Sequence, residues 1–432
     1  MQKTMTPRLI PALIALVFSG TASAAGFQLL EQNASGLGNA YAGSAAVAEN
    51  ASTIFFNPAG MTQLQARELS VGGTLVKTNF EFNNNGSSTG LLTGDGGNGG
   101  SLGFIPNAYM SWALNRDWYV GLGIGAPFGL KTEYDNPWRG GAHSLSFDIK
   151  TINLNPSIAW RATEWMSLGL GVNIQKIDAK YEKLAGIGPV NLGGLLGVRN
   201  LHQATTTLDA DDTAWGWNAG ALFTLSPRTK LGISYRSSVK YTLEGSLTTT
   251  GPDPVLNGAT SSGAKADLKL PDTFVVSLTH ALNERWELLG DISWTGWSSI
   301  DKVDIIRTSG PLTGATALRL DTQFKDTWRV ALGANYQLNE AVKLKFGIAY
   351  DQTPIKDAEH RLTSLPDNDR TWFSAGVQWK PSKTSVLDVG GAYLYVRDAA
   401  INNAGTSPVQ GLVKGSYDDS AWILGAQYSM AF

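Results

Sequence analysis

The chain has 432 residues and a formal net charge of −2 at pH 7, and it contains no cysteine. The balanced charge excludes a broad basic surface for nucleic acid, and the lack of cysteine excludes a disulfide framework, a thiolate nucleophile and a cysteine metal site. The 49 glycines and 14 tryptophans are typical of closely packed, twisted strands and of contact with a membrane interface.

The N-terminus, residues 1–24, has the features of a secretory signal peptide. A basic start at Lys3 precedes a short apolar core over 9–18, and residues 22–24 fit a cleavage site made of small residues. An apolar run of about 10 residues is too short to cross roughly 30 Å of hydrocarbon as a helix. We therefore expect a mature chain that starts at Ala25 and crosses any membrane with strands.

Residues 25–66 form a segment without strand-like alternation. The stretch 33–49 is rich in glycine, alanine and serine, which suits short helical turns packed against another surface. Asn57 is a good helix N-cap, and Pro58 suits the first helical position. About forty residues cannot bury a sizeable core alone. We therefore expect residues 25–66 to form a hatch, a small plug held inside a larger structure.

Apolar side chains alternate with small or polar ones from residue 69 to the C-terminus. In the segment 342–351, for example, Lys343 and Lys345 alternate with Leu344 and Phe346. Successive side chains of a strand point to opposite faces, and a charge facing lipid near the bilayer midplane costs about 2–4 kcal/mol. Such segments lie near 69–82, 104–114, 118–130, 145–160, 165–183, 213–226, 230–247, 267–281, 285–302, 319–338, 342–353, 370–380, 385–398 and 419–432.

Short and long connections alternate between these segments. Tight turns such as 115–117, 163–164 and 339–340 are each followed by a longer connection, as in the periplasmic turns and extracellular loops of bacterial barrels. Soluble propellers and sandwiches also have many strands, but they do not explain this alternation or the terminal aromatic Phe432. Residues 67–432 are therefore predicted to form an all-β transmembrane antiparallel barrel of about 14 strands in the outer membrane of a Gram-negative cell.

Several short motifs carry a resemblance to a known family. They are Ala25-Gly26-Phe27-Gln28-Leu29, Ser35-Gly36-Leu37-Gly38, Asn57-Pro58-Ala59, Gly216-Trp217-Asn218-Ala219-Gly220, Ser234-Tyr235-Arg236-Ser237, Leu270-Pro271, Phe324-Lys325-Asp326, Gly347-Ile348-Ala349-Tyr350 and Leu365-Pro366-Asp367. Together they resemble the FadL family of outer-membrane transporters of long-chain fatty acids and related hydrocarbons. The resemblance implies a monomeric barrel with an N-terminal hatch, passive uptake of a hydrophobic compound, and no cofactor.

The resemblance also implies positions that contact the ligand. It places Phe27 inside the barrel near the ligand, and Lys183 matches a basic position that the fatty-acid members place near their site. A second basic position of those members aligns with Leu320, so the neighbouring Arg319 is the candidate partner for a carboxylate.

An apolar cluster lies in one long, predicted extracellular connection, 184–201. Leu192, Leu195 and Leu196 are its central members. Exposed apolar clusters of that size usually mark a binding surface. We interpret this one as a capture groove for a hydrophobic ligand; packing on other loops is the alternative.

Two further motifs suggest moving parts. Asn57-Pro58-Ala59 resembles the hatch motif of the family, which implies a role in keeping the hatch seated. Pro127 cannot donate to a strand ladder, so Ala126-Pro127-Phe128-Gly129 predicts a local break in the third strand. In the family this strand kinks inwards and leaves an opening in the wall, which implies sideways exit of the ligand into the membrane.

Three alternatives to fatty-acid uptake remain. A barrel lipase would need a Ser and His pair, for which His280 is a weak candidate, and the 4 histidines show no metal-ligand spacing. A water-filled porin conflicts with a hatch in the lumen. Uptake of aromatic or alkyl hydrocarbons is the nearest alternative. Further expected partners are outer-membrane lipid, lipopolysaccharide, and the assembly machinery that would recognise Phe432.

We expect the double substitution Leu195→Asp and Leu196→Asp to weaken ligand uptake without unfolding the barrel. Each charge would remove apolar surface from the capture groove, at a cost of about 0.8 kcal/mol for every ligand methylene no longer covered. Initial uptake rates in whole cells, at matched amounts of folded barrel, measure the effect. Unchanged uptake would show that these leucines do not capture ligand.

Overall fold

Antiparallel strands close into a cylinder in the computed structural model, which describes residues 26–191 and 197–432. The predicted signal peptide and the three leucines Leu192, Leu195 and Leu196 lie outside the described residues. In chain order the strands are β1 (Arg67–Asn84), β2 (Leu102–Ala113), β3 (Trp118–Gly125), β4 (Gly129–Glu133), β5 (Ser146–Arg161), β6 (Met166–Leu184), β7 (Pro189–Asn191), β8 (Val198–Asn200), β9 (Thr205–Ser226), β10 (Thr229–Arg236), β11 (Val239–Thr250), β12 (Ser262–Leu270), β13 (Thr273–Ala281), β14 (Trp286–Thr295), β15 (Lys302–Arg307), β16 (Thr316–Asp321), β17 (Thr327–Gln337), β18 (Val342–Asp351), β19 (Arg370–Trp379), β20 (Ser385–Val396), β21 (Ala399–Asn403) and β22 (Val413–Ala431).

The wall of the cylinder has no free edge in the described part of the chain. Its neighbours, all antiparallel, follow the order β1, β2, β3, β5, β6, β9, β10, β13, β14, β17, β18, β19, β20 and β22. The last strand then pairs with the first, from Glu68↔Ala431 to Asn84↔Gly415. The predicted barrel of 14 strands is therefore confirmed. Closure satisfies the backbone groups that an edge would expose to lipid.

Six wall strands are each built from two successive pieces. The interruptions lie at residues 126–128, 237–238, 271–272, 296–301, 322–326 and 397–398. The paired pieces on their extracellular side, such as β11 with β12 and β15 with β16, extend the wall. These interruptions let segments of the wall turn towards the lumen.

The outer face of the wall changes character along each strand. In β6 the outward residues from Leu168 to Ile174 are apolar and exposed, whereas those from Lys176 to Glu182 are charged and at least partly exposed. Exposed tryptophans lie beside the short turns, and they are Trp112, Trp118, Trp160, Trp165, Trp286 and Trp379. An apolar band edged by aromatic residues is the lipid-facing surface of an outer-membrane barrel. The end of β6 beyond Lys176 therefore lies above the membrane.

In the described part of the chain, helical structure is confined to short turns. The α-helices are α1 (Thr53–Phe56) and α2 (Pro254–Thr260), and 3-10 turns lie at Leu37–Asn39, Pro58–Gln63, Arg139–Ala142, Leu201–Gln203 and Trp297–Ser299. Over residues 26–191 and 197–432, no helix has the length and apolar character needed to cross a membrane.

Residues 26–65 fill the lumen, where their backbone lies against glycines of the wall. A methyl group on Gly347 would overlap the Asn39 backbone, and one on Gly232 would overlap Ala45. Gly376 also lies close to the hatch, since an added Cβ would be 3.0 Å from the Cα atom of Gly38. The small residues that alternate along the strands therefore make room for the hatch.

Charged contacts also join the hatch to the wall. Glu49 pairs with Lys343 at 2.5 Å and with Lys345 at 3.0 Å, and Lys345 also reaches Asp388 at 3.2 Å. A buried charge requires such partners. The lysines seen between apolar residues in the sequence therefore face the hatch.

We expect Gly347→Val to displace the hatch and leave the barrel intact. Valine suits a strand, but its Cβ overlaps the Asn39 backbone, and overpacking of this kind costs about 1–3 kcal/mol. Protease sensitivity of the hatch in the purified barrel measures the effect. Gly290→Val is the matched control, because its added Cβ has 3.9 Å of clearance. Equal protection of the hatch in both variants would contradict this account.

Candidate functional site

An apolar cavity occupies the extracellular half of the lumen. About 720 Å³ of atom-free space lies within its lining, including space open to solvent. Its lining includes Phe27, Phe147, Ile149, Tyr181, Leu208, Leu243, Leu268, Ile300, Ile305, Leu320, Phe324, Leu362 and Leu365. These side chains come from strands on most of one side of the barrel and from the wall interruptions at 296–301 and 322–326. The arrangement can hold an apolar chain.

Residues 26–30, which we call the strap, form the floor of the apolar cavity. The ring of Phe27 lies 5.1 Å from Trp297 and 5.9 Å from Phe128. The Gly26 amide donates to Asp367 Oδ2 at 2.9 Å. Gly26 has a φ of +64°, and a side chain there would meet the Trp297 ring, so glycine is required. Phe27 therefore lies inside the barrel at the apolar cavity, and its contact with a ligand stays a prediction.

The strap also completes the wall where the third strand is interrupted. Ala126, Pro127 and Phe128 separate β3 from β4. The strap pairs with this gap, because the Leu29 amide donates to the Pro127 carbonyl at 2.8 Å and the Gly129 amide donates to the Phe27 carbonyl at 2.9 Å.

The side of the gap that faces β2 has few wall bonds. The ladder between β2 and β3 covers only Ala108 to Ala113 of β2. Pro106, which has no N–H to donate, lies in the uncovered part. The backbone beside Pro127 is thus held by the strap on the side where β2 provides no ladder, and by Thr151 of β5 on the other side, where the Thr151 amide donates to the Phe128 carbonyl at 3.0 Å.

A second cavity lies outside the apolar one, towards the extracellular surface. It encloses about 700 Å³ and shares Tyr181, Leu320 and Leu362 with the apolar cavity. Arg319 lines this outer cavity, and its guanidinium forms a bidentate pair with Asp304, at 2.5 and 3.0 Å. Leu320, which aligns with the second basic position of the fatty-acid members, lines the apolar cavity, whereas Arg319 does not. The cation predicted for a carboxylate therefore already has an acidic partner.

Lys183 is buried above the membrane and lines neither cavity. Its ammonium donates to the carbonyls of Ala142 at 3.4 Å and Leu184 at 3.3 Å. Burial, together with the nearby Arg307 charge, lowers the pKa of Lys183 to about 8. Contact between Lys183 and a ligand stays a prediction.

The neighbouring His143 is tied to the outer loops. Its Nε2 lies 3.0 Å from the Gly411 carbonyl, and its own carbonyl accepts from the Tyr181 hydroxyl at 3.0 Å. Burial lowers the pKa of His143 to about 4, so the ring is neutral at physiological pH. It joins loops that roof the lumen.

Asn57 joins the hatch to the wall through three hydrogen bonds. Its amide nitrogen donates to the carbonyls of Ala45 at 2.7 Å and Ala221 at 3.0 Å, and its side-chain oxygen accepts from the Ala59 amide at 3.1 Å. Asn57 caps the turn that begins at Pro58. A role for this motif in gating remains a prediction, since the geometry describes one position of the hatch.

A third cavity lies below the strap, between it and the rest of the hatch. It encloses about 870 Å³ and is more polar than the apolar cavity. Gln28 and Leu30 of the strap line it, together with Arg236 and Arg329. Residues 27–30 thus separate two chambers of different character.

Sequence reasoning missed several residues that shape these cavities. Asp367 anchors the strap, and Trp297 packs on Phe27 from an interruption that no periodicity predicts. The only sequence signal for Asp367 and Arg236 is their presence in motifs that carry the family resemblance. His280 binds Thr229 Oγ1 at 2.9 Å beside a turn, and no group of three potential metal ligands occurs among the residues described.

Comparisons with known proteins agree with this architecture. The family described as "Outer membrane protein transport protein (OMPP1/FadL/TodX)" matches residues 15–432. The long-chain fatty acid transport protein of Salmonella typhi is 30% identical over 451 residues, covering 100% of both chains. The crystal structure of a Pseudomonas aeruginosa FadL homologue has a TM-score of 0.85 at 23% identity, over 94% of this chain and 99% of that one. The Ralstonia pickettii toluene transporter TbuX has a TM-score of 0.65 at 17% identity, over 94% and 100%.

We expect Asn57→Ala to reduce uptake while the barrel still assembles. Two buried carbonyls would lose their donor, which costs about 1–3 kcal/mol for each unsatisfied group. Uptake rate and the amount of folded barrel, measured together, test this. Asn115→Ala is the control, because Asn115 caps an exposed turn outside the lumen. A failure of Asn57→Ala to assemble would give the motif a purely structural role.

Proposed function

The chain belongs to the family of outer membrane protein transport proteins (OMPP1/FadL/TodX), and on that premise we propose that its substrate is a free long-chain fatty acid. It is an outer-membrane β-barrel that transports hydrophobic compounds, and it is not an enzyme. The observation that carries the proposal is the apolar cavity closed below by Phe27. A general porin would need an open lumen, which the hatch fills.

The energetics of the apolar cavity favour a long chain as ligand. Each buried methylene contributes about 0.8 kcal/mol, so a chain of about 14 methylenes offers roughly 11 kcal/mol before ordering costs. An exposed ion pair adds at most about 1 kcal/mol. Apolar contact therefore supplies the affinity, and a cation would select acids over hydrocarbons. Arg319 in the outer cavity and Lys183 are the candidates predicted from the sequence.

Aromatic or alkyl hydrocarbons are the second candidate substrates. The observation that favours them is that Arg319 is already paired with Asp304 and the Lys183 ammonium with two carbonyls. A neutral ligand needs no cation. Full-length identity to a protein named as a long-chain fatty acid transporter supports the acid instead.

The proposed route starts at the extracellular loops. Leu192, Leu195 and Leu196 would capture the ligand, which then enters the apolar cavity through the outer one. Displacement of the strap would open the way down, and the ligand would leave sideways near Pro127, Phe128 and Gly129. The wall interruption and the strap that pairs with it support this route.

Two partners besides the ligand belong to the proposal. The assembly machinery would recognise Phe432, which is exposed at the end of the last wall strand. Lipopolysaccharide would contact the charged outer face above the lipid band, where Lys180 and Asp209 form one of the exposed ion pairs. We propose that a single barrel is the working unit.

Uptake of labelled oleate, toluene and hexadecane separates the two substrate classes. The assay uses cells that lack their own transporter and produce this chain. We expect oleate uptake to rise at least about tenfold above the empty-vector level, since tenfold corresponds to about 1.4 kcal/mol, with little change for toluene. Stimulation of toluene or hexadecane alone would overturn the fatty-acid proposal.

We expect a disulfide between Gln28→Cys and Phe128→Cys to block uptake by locking the strap in the wall. The two residues face each other in an isolated antiparallel bridge. Cα atoms of such a non-hydrogen-bonded pair are roughly 4.5 Å apart, within the range of about 4.4–6.8 Å for a disulfide. Reduction should restore uptake.

The absence of native cysteine makes this cross-link unique. The two single-cysteine variants control for loss of the native side chains. A cysteine pair at Val330 and Tyr350, which are paired within the wall, controls for oxidation itself. Full uptake by the oxidised strap variant would show that transport does not require the strap to leave the gap.

A further inference from the structure

The cavity below the strap contains a half-buried cation without an acidic partner. Arg236, at the end of β10, donates to the Phe55 carbonyl at 2.8 Å and to the Asn173 side chain, and its guanidinium lies 4.1 Å from the centre of the Phe55 ring. Within residues 26–191 and 197–432, Arg236 forms no ion pair. A charge that is removed from water is normally paired with an opposite charge. Arg236, which is partly removed from water, has no such partner among the described residues.

A row of hydroxyl groups continues from Arg236 across the cavity wall. Arg236 is paired with Thr273, Thr273 with Thr295, and Thr295 with Thr327, and all four residues line the cavity. The strap occupies this row, because the Gln28 amide nitrogen donates to Thr273 Oγ1 at 3.2 Å and the Thr295 hydroxyl donates to Gln28 Oε1 at 3.4 Å. Movement of the strap would free hydrogen-bonding groups next to the cation.

The two carboxylates that line this cavity, Asp291 and Asp351, lie near its other arginine, Arg329. Asp351 is the neighbour of Arg329 across two wall strands. Asp291 accepts from the hydroxyls of Ser44 and Ser277, each at 2.8 Å. The side of the cavity around Arg236 therefore presents a positive charge and neutral hydroxyls, which suits an incoming anion.

A polar path connects Arg236 with the wall interruption. Gly125, the last residue before the interruption, is paired with Asn153, and Asn153 donates to Asn173 Oδ1 at 3.0 Å. Asn173 is also the partner of Arg236. Hydrogen-bonded amide side chains therefore link the wall interruption with Arg236.

We propose that the cavity below the strap is a binding site for the carboxylate of the ligand, formed by Arg236 and the hydroxyl groups of Thr273, Thr295 and Thr327. The inference rests on the proposed function and adds the place in the barrel where acids are selected over neutral compounds. The apolar cavity accepts any sufficiently long chain. Discrimination between acids and neutral compounds occurs at the second site, after the strap is displaced and next to the exit.

Photo-crosslinking to the purified full-length barrel tests this site. The probes are a 16-carbon acid with a diazirine on the carbon next to the carboxyl group, and the matching alcohol. Labelled peptides are identified by mass spectrometry. We expect the acid to label the cavity around Phe55 and Asn173 at least about tenfold more than the alcohol, because hydrogen bonds between two charged groups are stronger than those to a neutral hydroxyl. Both probes should label the apolar cavity around Phe147 and Phe324 alike.

Substitutions at Arg236 test whether this residue binds the carboxylate of the ligand or only holds the hatch in place. Arg236→Met should remove the acid preference in the lower cavity and leave labelling of the apolar cavity unchanged, whereas Arg236→Lys should retain most of the preference. Equal labelling of the lower cavity by acid and alcohol, or a preference that survives Arg236→Met, would overturn the site. A parallel loss of both probes from both cavities would make Arg236 a tether and also overturn it.

Failure of the site and failure of the proposed function give different results. Labelling confined to the apolar cavity would remove the lower site and leave fatty-acid transport standing. If the acid labels neither cavity of the unsubstituted protein, both proposals fail.

Discussion

The structure depends on one constraint, that backbone amides and carbonyls inside a bilayer find their hydrogen-bond partners within the protein. Pairing of β22 with β1 meets it for the wall as a whole. The gap at 126–128 is the exception, and there the hatch supplies partners. Besides the two strap bonds, the Gln32 side chain of the hatch donates to the Ala126 carbonyl at 2.6 Å. Wall strand β5 holds the other side, where the Phe128 amide donates to Thr151 Oγ1 at 2.9 Å. The hydrogen bonds that hold the strap are the same ones that close the gap, so displacing the strap and opening the wall break the same interactions.

The two inner cavities divide the recognition of an amphiphile into separate steps. The upper cavity is lined by apolar side chains whose contribution grows with chain length. The lower cavity is lined by hydroxyls, amides and Arg236, which respond to charge and hydrogen bonding. The strap contributes Phe27 to one and Gln28 to the other. A single short segment thus contacts both chemical halves that such a ligand would have.

Most of the wall could be predicted from the sequence, because lipid on one side and a packed hatch on the other impose alternation on nearly every strand. Pro127 signalled an interruption for a local reason, the missing N–H. Pro271 gives the same signal at the interruption 271–272. The interruptions at 296–301 and 322–326 carry no such signal, and they shape the apolar cavity through Trp297 and Phe324.

The candidate site was harder to predict, since its contacts join distant segments. The pairing of the strap with Pro127 links residues about a hundred positions apart. Arg319 was predicted beside the ligand, but its partner Asp304 comes from the paired piece of wall that follows an interruption. Arg236 belonged to a recognised motif, yet the lack of an acidic neighbour emerges only from the three-dimensional arrangement. The periodicity of the sequence predicts the fold, whereas the pairing of charged side chains is visible only in the three-dimensional structure.

The glycines that face the hatch have an evolutionary consequence. Asn39 and Ala45 occupy the space that side chains at Gly347 and Gly232 would need. Mutational drift on either surface is therefore coupled: a bulkier residue at one of these wall positions is tolerated only if the opposing main chain shifts. Among homologues, insertions and deletions in the segment that corresponds to residues 26–65 should accompany changes at these glycines, even though the two regions are about two to three hundred positions apart in the chain.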